Sequence, residues 1–182
     1  MTRAGDPSWY MGLVALVALV RIAELVLSRR NYRRLIARGG IESGSGHYPL
    51  LVAVHVGFLA ACPLEVAALD RPFLPALGVP MLVLLAVTFA LRYWVVATLG
   101  ERWCTRVVVV PGALLVATGP YRFLRHPNYL GVALELPALA LVHTAWLSAV
   151  VFGSLNLAML RVRIRVEDAA LRLSAPSRRE AR

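Results

Sequence analysis

The densest group of chemically useful side chains lies between Gly119 and Gly131, where arginines, a histidine and tyrosines alternate with glycine and proline. Gly119-Pro120 forces a turn, and Pro127 fixes the backbone beside His126. The polar side chains of this segment are therefore expected to form a defined pocket wall. The alternative is a basic, aromatic belt at a membrane interface, which arginine and tyrosine commonly form.

A second polar segment runs from Arg163 to Asp168, at the end of the last apolar stretch. Arg163 and Glu167 are spaced i,i+4, so they share one face of a helix. A salt bridge between them, worth on the order of a few tenths of a kcal/mol, is the structural alternative to a role in ligand binding.

Long apolar runs must position these two segments. Hydrophobic residues make up 59% of the chain, more than in a soluble globular protein. Runs of this kind predict spans at residues 9–27, 48–69 and 73–91, followed by a helical hairpin at 129–160 that is interrupted by Glu135, Pro137 and His143-Thr144. We therefore predict an all-α integral membrane protein of about five transmembrane helices, with four as the alternative.

Polar residues indicate which parts of the chain lie outside the membrane. The stretch 92–128 is the longest of them, and Val107 to Val110 within it is expected to be extended. The tail from Arg161 is predicted to continue the last span as a C-terminal helix and to fray after Pro176. We treat 1–182 as one domain, with three N-terminal helices in 1–91 and a cytosolic cofactor-binding loop, hairpin and tail in 92–182.

Arginine distribution predicts the orientation, since all 20 basic residues are arginine. Five lie at 28–47, five at 92–128 and seven at 161–182, against Arg3 and Arg71 on the other face. The positive-inside rule places the long loop and the tail together in the cytoplasm. The charge of +10 does not indicate nucleic-acid binding, because the arginines are divided among apolar runs.

Four polar residues fall inside the apolar spans: Arg21, Glu24, His55 and Glu135. At about 1.5 Å per residue, each lies roughly 5–10 Å from the cytosolic end of its span. We expect one buried polar cluster beneath the loop, in which Arg21 and Glu24 form a structural pair. Either His55 or Glu135 is a possible general base for a hydroxyl substrate. Glu65, near the outer end of its span, is expected only to snorkel.

Metal chemistry is not expected, because no group of histidines, cysteines and carboxylates has the spacing of metal ligands. The two cysteines, Cys62 in an apolar run and Cys104 in the loop, are too few for a disulfide framework. Both are predicted to be free thiols.

The two polar segments together resemble the isoprenylcysteine carboxyl methyltransferase family, whose hallmark is G-x-Y-x-x-x-R-H-P-x-Y followed, after a helical hairpin, by R-x-x-x-E and a further acid. The matching residues here are Gly119, Tyr121, Arg125, His126, Pro127, Asn128, Tyr129, Arg163, Glu167 and Asp168. Asp168 stands where relatives commonly carry a second glutamate. The aromatic tail of many relatives is missing, which argues against a bulky prenylated-protein substrate.

Within that family, the chain is most similar to a bacterial branch of alkylpyrone and alkylresorcinol O-methyltransferases. This closer likeness extends to about Leu171 and includes Arg21-Ile22-Ala23-Glu24-Leu25, His47-Tyr48-Pro49 and Leu99-Gly100-Glu101-Arg102-Trp103. It implies a lipid-like substrate that is methylated on oxygen, and a bacterial inner-membrane protein whose active site faces the cytoplasm.

The resemblance also implies S-adenosylmethionine as the cofactor and assigns the site residue by residue. The implied cofactor contacts are Ala113, Leu114, Leu115, Val116, Tyr121, His126, Pro127, Asn128, Tyr129 and Glu167. Arg163 is implied to face the substrate, and Arg125 to be the second catalytic or cofactor-orienting arginine.

Several other functions also fit the sequence. Carboxyl methylation of a prenylcysteine-like lipid and N-methylation of a phospholipid are alternatives within the fold. An NADPH-dependent membrane reductase has a similar helical layout, but the sequence has no glycine-rich dinucleotide turn. A non-catalytic membrane scaffold would explain the hydropathy alone. The identity of the methyl acceptor and the oligomeric state are not predicted.

Overall fold

The computed structural model of the protein describes residues 7–174 as a helical bundle with one small sheet. Its elements are α1 (Ser8–Ala37), β1 (Ile41–Ser43), α2 (Tyr48–Ala68), α3 (Pro75–Leu99), β2 (Val107–Val109), α4 (Pro127–Val142) and α5 (Trp146–Ser174). Proline stands in the first turn of α2, α3 and α4, where its missing N–H costs nothing. Arg3 and the fraying predicted after Pro176 lie outside the described residues.

The predicted membrane class is confirmed. Among residues 7–174, α1, α2, α3 and α5 are long and apolar enough to cross a membrane. The fifth helix, α4, has 16 residues, or about 24 Å of length against about 30 Å of hydrocarbon. Most of its residues are buried, so α4 is an inner helix enclosed by the others. The described bundle thus has four long helices and one short one.

Two predicted helix ends are wrong. The first span does not end at Leu27, because α1 continues to Ala37, and the third does not end at Leu91, because α3 continues to Leu99. Each prediction stopped at the first polar residues, although backbone hydrogen bonding carries a helix on beyond the apolar run. Arg92, which we had assigned to the loop, is therefore inside α3 and only 8% exposed.

The predicted extended segment is confirmed as β2, which pairs antiparallel with β1 in the register Ile41 to Val109 and Ser43 to Val107. The Arg106 guanidinium lies 2.7 Å from the Glu42 carboxylate, and this hydrogen bond raises the pKa of Arg106. No pattern in the sequence indicated β1. Pairing it with β2 attaches the long loop to the connection between α1 and α2.

The prediction that Glu65 only snorkels is wrong. Its carboxylate accepts the backbone N–H groups of Leu147 at 3.1 Å and Ser148 at 2.7 Å, and it lies 2.9 Å from the Arg71 guanidinium. These N–H groups belong to the first turn of α5, which has no intrahelical acceptors for them. Glu65 therefore caps α5 from α2. Cys62 and Cys104 are free thiols, as predicted.

Among the described helices, α3 and α4 make the most extensive contact. This contact holds α4 in its inner position. Gly78 in α3 is buried where this contact begins. A Cβ added there would lie 2.7 Å from the Val142 carbonyl oxygen and would collide with the Phe73 ring. The close approach of the two helices thus depends on a residue without a side chain.

We expect Gly78→Ala to lower the free energy of unfolding by about 1–3 kcal/mol, because overpacking of a tight contact costs that much. Thermal unfolding of the detergent-purified protein measures the effect. Gly12→Ala is the matched control, since nothing lies within 4 Å of a Cβ at that position in α1. Equal melting temperatures for the two variants would show that the contact does not need the glycine.

Candidate functional site

The two polar segments meet where the start of α4 faces the end of α5. His126 Nε2 lies 3.2 Å from Asp168 Oδ1, and His126 Nδ1 lies 3.9 Å from Glu167 Oε1. The Tyr129 hydroxyl donates a short hydrogen bond to Glu167. The structure therefore brings the H-P-x-Y segment and the acidic pair together in one place, although 38 residues separate Tyr129 from Glu167 along the chain.

The turn before α4 owes its shape to glycine and proline. Gly119 has a positive φ of 57°, and a Cβ there would collide with the Thr98 side chain of α3. Pro120 lies in the 3-10 turn that follows, and the backbone N–H of Tyr121 donates to the Thr118 carbonyl at 3.2 Å. This geometry docks the turn against α3 and directs the chain into α4.

Two tyrosines line the site in different ways. The Tyr129 ring stacks on the His126 ring, with centroids 5.6 Å apart and planes 30° apart. Burial, and then the nearby Glu167 carboxylate, raise the pKa of Tyr121 to about 12. The Tyr121 phenol therefore stays protonated at neutral pH and can donate a hydrogen bond to a ligand.

The two arginines that we predicted to be catalytic occupy different environments. Arg163 is 5% exposed, and its guanidinium carbon lies 5.6 Å from the centre of the Tyr129 ring. Within the described residues no carboxylate lies within 4.0 Å of it, so the alternative Arg163–Glu167 salt bridge is not formed. The Arg125 side chain is 67% exposed and pairs with Asp168 at 3.0 Å.

Three adjoining cavities surround these side chains. The loop cavity, about 630 Å³, is lined by Ala113 to Val116 together with Tyr121, His126 and Glu167. The junction cavity, about 110 Å³, shares Tyr121, His126 and Glu167 with the loop cavity. The loop cavity and the junction cavity therefore have a common wall.

The third cavity, the bilayer cavity of about 350 Å³, lies among all five helices. It shares Asn128, Tyr129 and Arg163 with the junction cavity. Ile22 and Val56 line it and are more than half exposed on the outside of the bundle. The cavity thus opens on the apolar surface that faces lipid, and the junction cavity lies between it and the loop cavity.

Most of the cofactor contacts implied by the resemblance line the loop or junction cavity. Pro127 lines none of the three cavities, so its contribution is to the backbone at the start of α4. Arg125 and Asp168 lie at the edge of the loop cavity. Sequence reasoning missed Trp103, a buried residue that lines both the junction and bilayer cavities.

A buried charge quartet of Arg21, Glu24, Arg92 and Glu135 lies below the site. Arg21 Nη2 is 2.5 Å from Glu135, and Arg21 Nη1 pairs with Glu24. Arg92 Nε and Nη2 donate to Glu24 at 2.6 and 2.8 Å. The sequence predicted a cluster that contained His55 and lacked Arg92, although the apolar Tyr93-Trp94-Val95-Val96 after Arg92 could have indicated a continuing helix.

The structure separates the two residues proposed as a base. Both Glu135 carboxylate oxygens accept from Arg21, and Glu135 lines none of the three cavities. His55 lines the bilayer cavity, with its Nδ1 2.9 Å from the Leu51 carbonyl oxygen. A carbonyl only accepts, so Nδ1 carries the proton and Nε2 has a free lone pair when the ring is neutral.

Comparisons with known proteins agree with this architecture. The model of the isoprenylcysteine carboxyl methyltransferase (ICMT) family matches residues 81–173, a range that contains the whole polar site. The chain is 38% identical to the uncharacterized protein YpbQ of Bacillus subtilis over 160 residues, which is 87% of this chain and 94% of that protein.

An uncharacterized protein of Haemophilus influenzae is 29% identical over 158 residues, covering 86% of this chain and 91% of that protein. No solved structure matches the chain. The family match and the bundle lead to the same conclusion: the chain belongs to the isoprenylcysteine carboxyl methyltransferase family and is a membrane methyltransferase.

Proposed function

We propose that the protein transfers a methyl group from S-adenosylmethionine to an oxygen atom of a lipid-like substrate of the alkylpyrone or alkylresorcinol type. The observation that supports this proposal is the arrangement of the three cavities in a row. A loop-side cavity whose wall carries the charged side chains of Arg125, Glu167 and Asp168 and an apolar cavity open to lipid meet at a junction lined by Tyr129 and Arg163. Such an arrangement suits a reaction between a water-soluble donor and an acceptor that enters from the bilayer.

The residues of the loop cavity fit a sulfonium nucleoside. A volume of about 630 Å³ lies in the usual range for small-molecule sites. The apolar segment from Ala113 to Val116 can cover an adenine ring, the Glu167 carboxylate can accept from ribose hydroxyls, and the protonated Tyr121 can donate. Four arginines also line this cavity, but Glu167 pairs with none of them within residues 7–174, so its carboxylate is available to the sulfonium cation. When bound, S-adenosylmethionine supplies an electrophilic methyl group and a thioether leaving group.

The chain's own residues would prepare the acceptor oxygen. Arg163 is a buried cation without a carboxylate partner in the described part of the chain. An uncompensated cation favours the deprotonated form of a phenol or enol placed beside it. His55 would take the hydroxyl proton on Nε2 as general base, while Nδ1 keeps its own proton and donates it in a hydrogen bond to the Leu51 carbonyl. Holding the two reactants together supplies much of the remaining rate enhancement.

Asp168 and Arg125 would have positioning roles. Asp168 lies 3.2 Å from His126 Nε2 and 3.0 Å from Arg125, so it links the turn before α4 to α5. We place the loop cavity in the cytoplasm of a bacterium, because the arginine-rich segments lie on that side. The whole chain, 1–182, would act as one domain, in which α1 and α2 form much of the bilayer cavity and the described segments after α3 form most of the loop and junction cavities.

A carboxylate acceptor, as in a prenylcysteine-like lipid, is the second candidate. Arg163 favours it, because it has no carboxylate partner in the described chain and a buried guanidinium binds a carboxylate well. A carboxylate has no hydroxyl proton to lose, so the role of His55 separates the two candidates. An ammonium headgroup for N-methylation is disfavoured, because Arg163 would repel it.

We expect Glu167→Gln to weaken binding of S-adenosylhomocysteine about tenfold or more, because hydrogen bonds to a charged group are worth roughly 1.5–3 kcal/mol. Calorimetry on the detergent-purified protein measures this. The control is Glu101→Gln, whose carboxylate is half-exposed and pairs with Arg34 and Arg38. Such surface pairs contribute little. Binding of NADPH without binding of S-adenosylhomocysteine would overturn the proposed function.

For a hydroxyl substrate, we expect His55→Gln to lower the rate of methyl transfer by about 10²–10⁴-fold and to remove the fall in rate toward acid pH. That fall arises because a protonated imidazole cannot accept the substrate proton. Transfer of labelled methyl to 5-pentadecylresorcinol in nanodiscs, from about pH 5 to 9, spans the range in which histidine titrates.

Glu135→Gln is the matched comparison for this experiment. It weakens the pair with Arg21 and should lower the melting temperature, yet the acid limb of the rate profile should persist. A normal rate in His55→Gln would favour the carboxylate candidate. An acid limb that disappears only in Glu135→Gln would move the base to that residue.

A further inference from the structure

We infer that the bilayer cavity contains a second-oxygen subsite, formed by Arg92, Trp103 and Asn128, which binds an oxygen of the substrate other than the one that is methylated. This inference rests on the proposed function, since it assigns part of the same substrate. It goes further, because it assigns the second oxygen of that headgroup to three named side chains.

Three buried polar atoms without partners define the subsite. Arg92 Nη1, Trp103 Nε1 and Asn128 Oδ1 have no hydrogen-bond partner among residues 7–174. All three side chains line the bilayer cavity. A buried donor or acceptor without a partner is unfavourable. Such groups in one cavity wall therefore favour a ligand that supplies their partners.

Several other polar groups around the cavity already have partners, whereas His55 Nε2 and Arg163 are assigned to the oxygen that is methylated. Arg21 and Glu24 are bound within the charge quartet, and the Tyr48 and Thr105 hydroxyls lie 3.1 Å from each other. Of the seven buried side-chain atoms that lack partners in the described chain, three line this cavity. The unmet hydrogen-bonding capacity is thus concentrated beside the junction cavity, which Trp103 and Asn128 also line.

The two donors are held firmly. Two hydrogen bonds to Glu24 fix the Arg92 guanidinium, and its carbon lies 6.0 Å from the Trp103 ring centre. The Trp103 backbone is fixed in turn, since its carbonyl accepts from Asn31 at 2.8 Å and its N–H donates to Gly100 at 3.1 Å. Fixed donors lose little entropy on binding, so they discriminate well between ligands.

The donors and the acceptor identify the chemistry of the ligand. One oxygen can accept from both N–H groups, and a hydroxyl hydrogen can be donated to Asn128 Oδ1. Glu24 neutralises Arg92, so this subsite suits a neutral hydroxyl or carbonyl oxygen. The uncompensated Arg163 suits the oxygen that becomes an anion. The substrate class is therefore a ring with two oxygen functions, such as a dihydric phenol or a hydroxypyrone.

Two probes with the same alkyl chain test this inference: 5-pentadecylresorcinol, and 3-pentadecylphenol, which lacks one oxygen. Their affinities are measured by competition against tritiated 5-pentadecylresorcinol on the full-length protein in nanodiscs, without a methyl donor. We expect the wild-type protein to prefer the resorcinol about five- to tenfold, the worth of one net hydrogen bond.

Trp103→Phe removes the indole donor and keeps an aromatic ring. It should weaken binding of the resorcinol about fivefold and leave the phenol unchanged, so that the preference falls to about twofold or less. Trp94→Phe is the matched control, because Trp94 lies in α3 with 46% of its surface exposed. It should keep the full preference.

The affinity for S-adenosylhomocysteine, measured on the same samples, separates the two proposals. If the wild-type protein binds it but binds both lipids equally, the subsite is overturned and the proposed function stands. If Trp103→Phe keeps the full preference, a trapped water satisfies these atoms and the subsite is again overturned. If Trp103→Phe does not fold, the affinities of the wild-type protein for the two lipids still test the inference. A wild-type protein that does not bind S-adenosylhomocysteine would remove the basis of both proposals.

Discussion

Charged side chains inside a lipid bilayer must be paired, and the architecture of this protein depends on how four of them meet that constraint. Arg21 and Glu24 of α1, Arg92 of α3 and Glu135 of α4 form a neutral cluster that joins three helices. Each of these charges alone would cost several kcal/mol in hydrocarbon. Together they hold the short helix α4 inside the bundle, and the first turn of α4 carries His126 and its neighbours to α5.

The same electrostatic rule divides the arginines by function. Arg21 and Arg92 have carboxylate partners, so their charges stabilise the fold and are not available to a ligand. Arg163 is as deeply buried, yet it lies over the Tyr129 ring and has no carboxylate within the described residues. A buried cation without an anion is unfavourable unless something else offsets it. This contrast, more than burial alone, identifies Arg163 as the arginine of the site.

The sequence predicted features that depend on local pattern and missed those that depend on distant partners. Tyr129 and Glu167 were expected to converge because of a motif, and the apolar runs indicated the spans. Arg92 was misassigned, because an arginine extends a buried helix only if a partner such as Glu24 lies opposite, which no local pattern reveals. Glu65 was missed for the same reason, since its partners are backbone N–H groups at the start of α5. The cavities arise only from packing.

An enzyme that joins a water-soluble reactant to one dissolved in lipid must connect two solvents without mixing them. Here the connection is the junction cavity of about 110 Å³, far smaller than the cavities on either side. Its walls are the stacked His126 and Tyr129 rings, the Arg163 guanidinium and the Glu167 carboxylate. Under the proposed function, reactive groups would meet in this space while their larger parts stay in separate cavities. When both reactants fill this space they exclude water, so charges inside it act more strongly than in solution. The small volume of the junction cavity would therefore both separate the two solvents and strengthen the electrostatic interactions of the reacting groups.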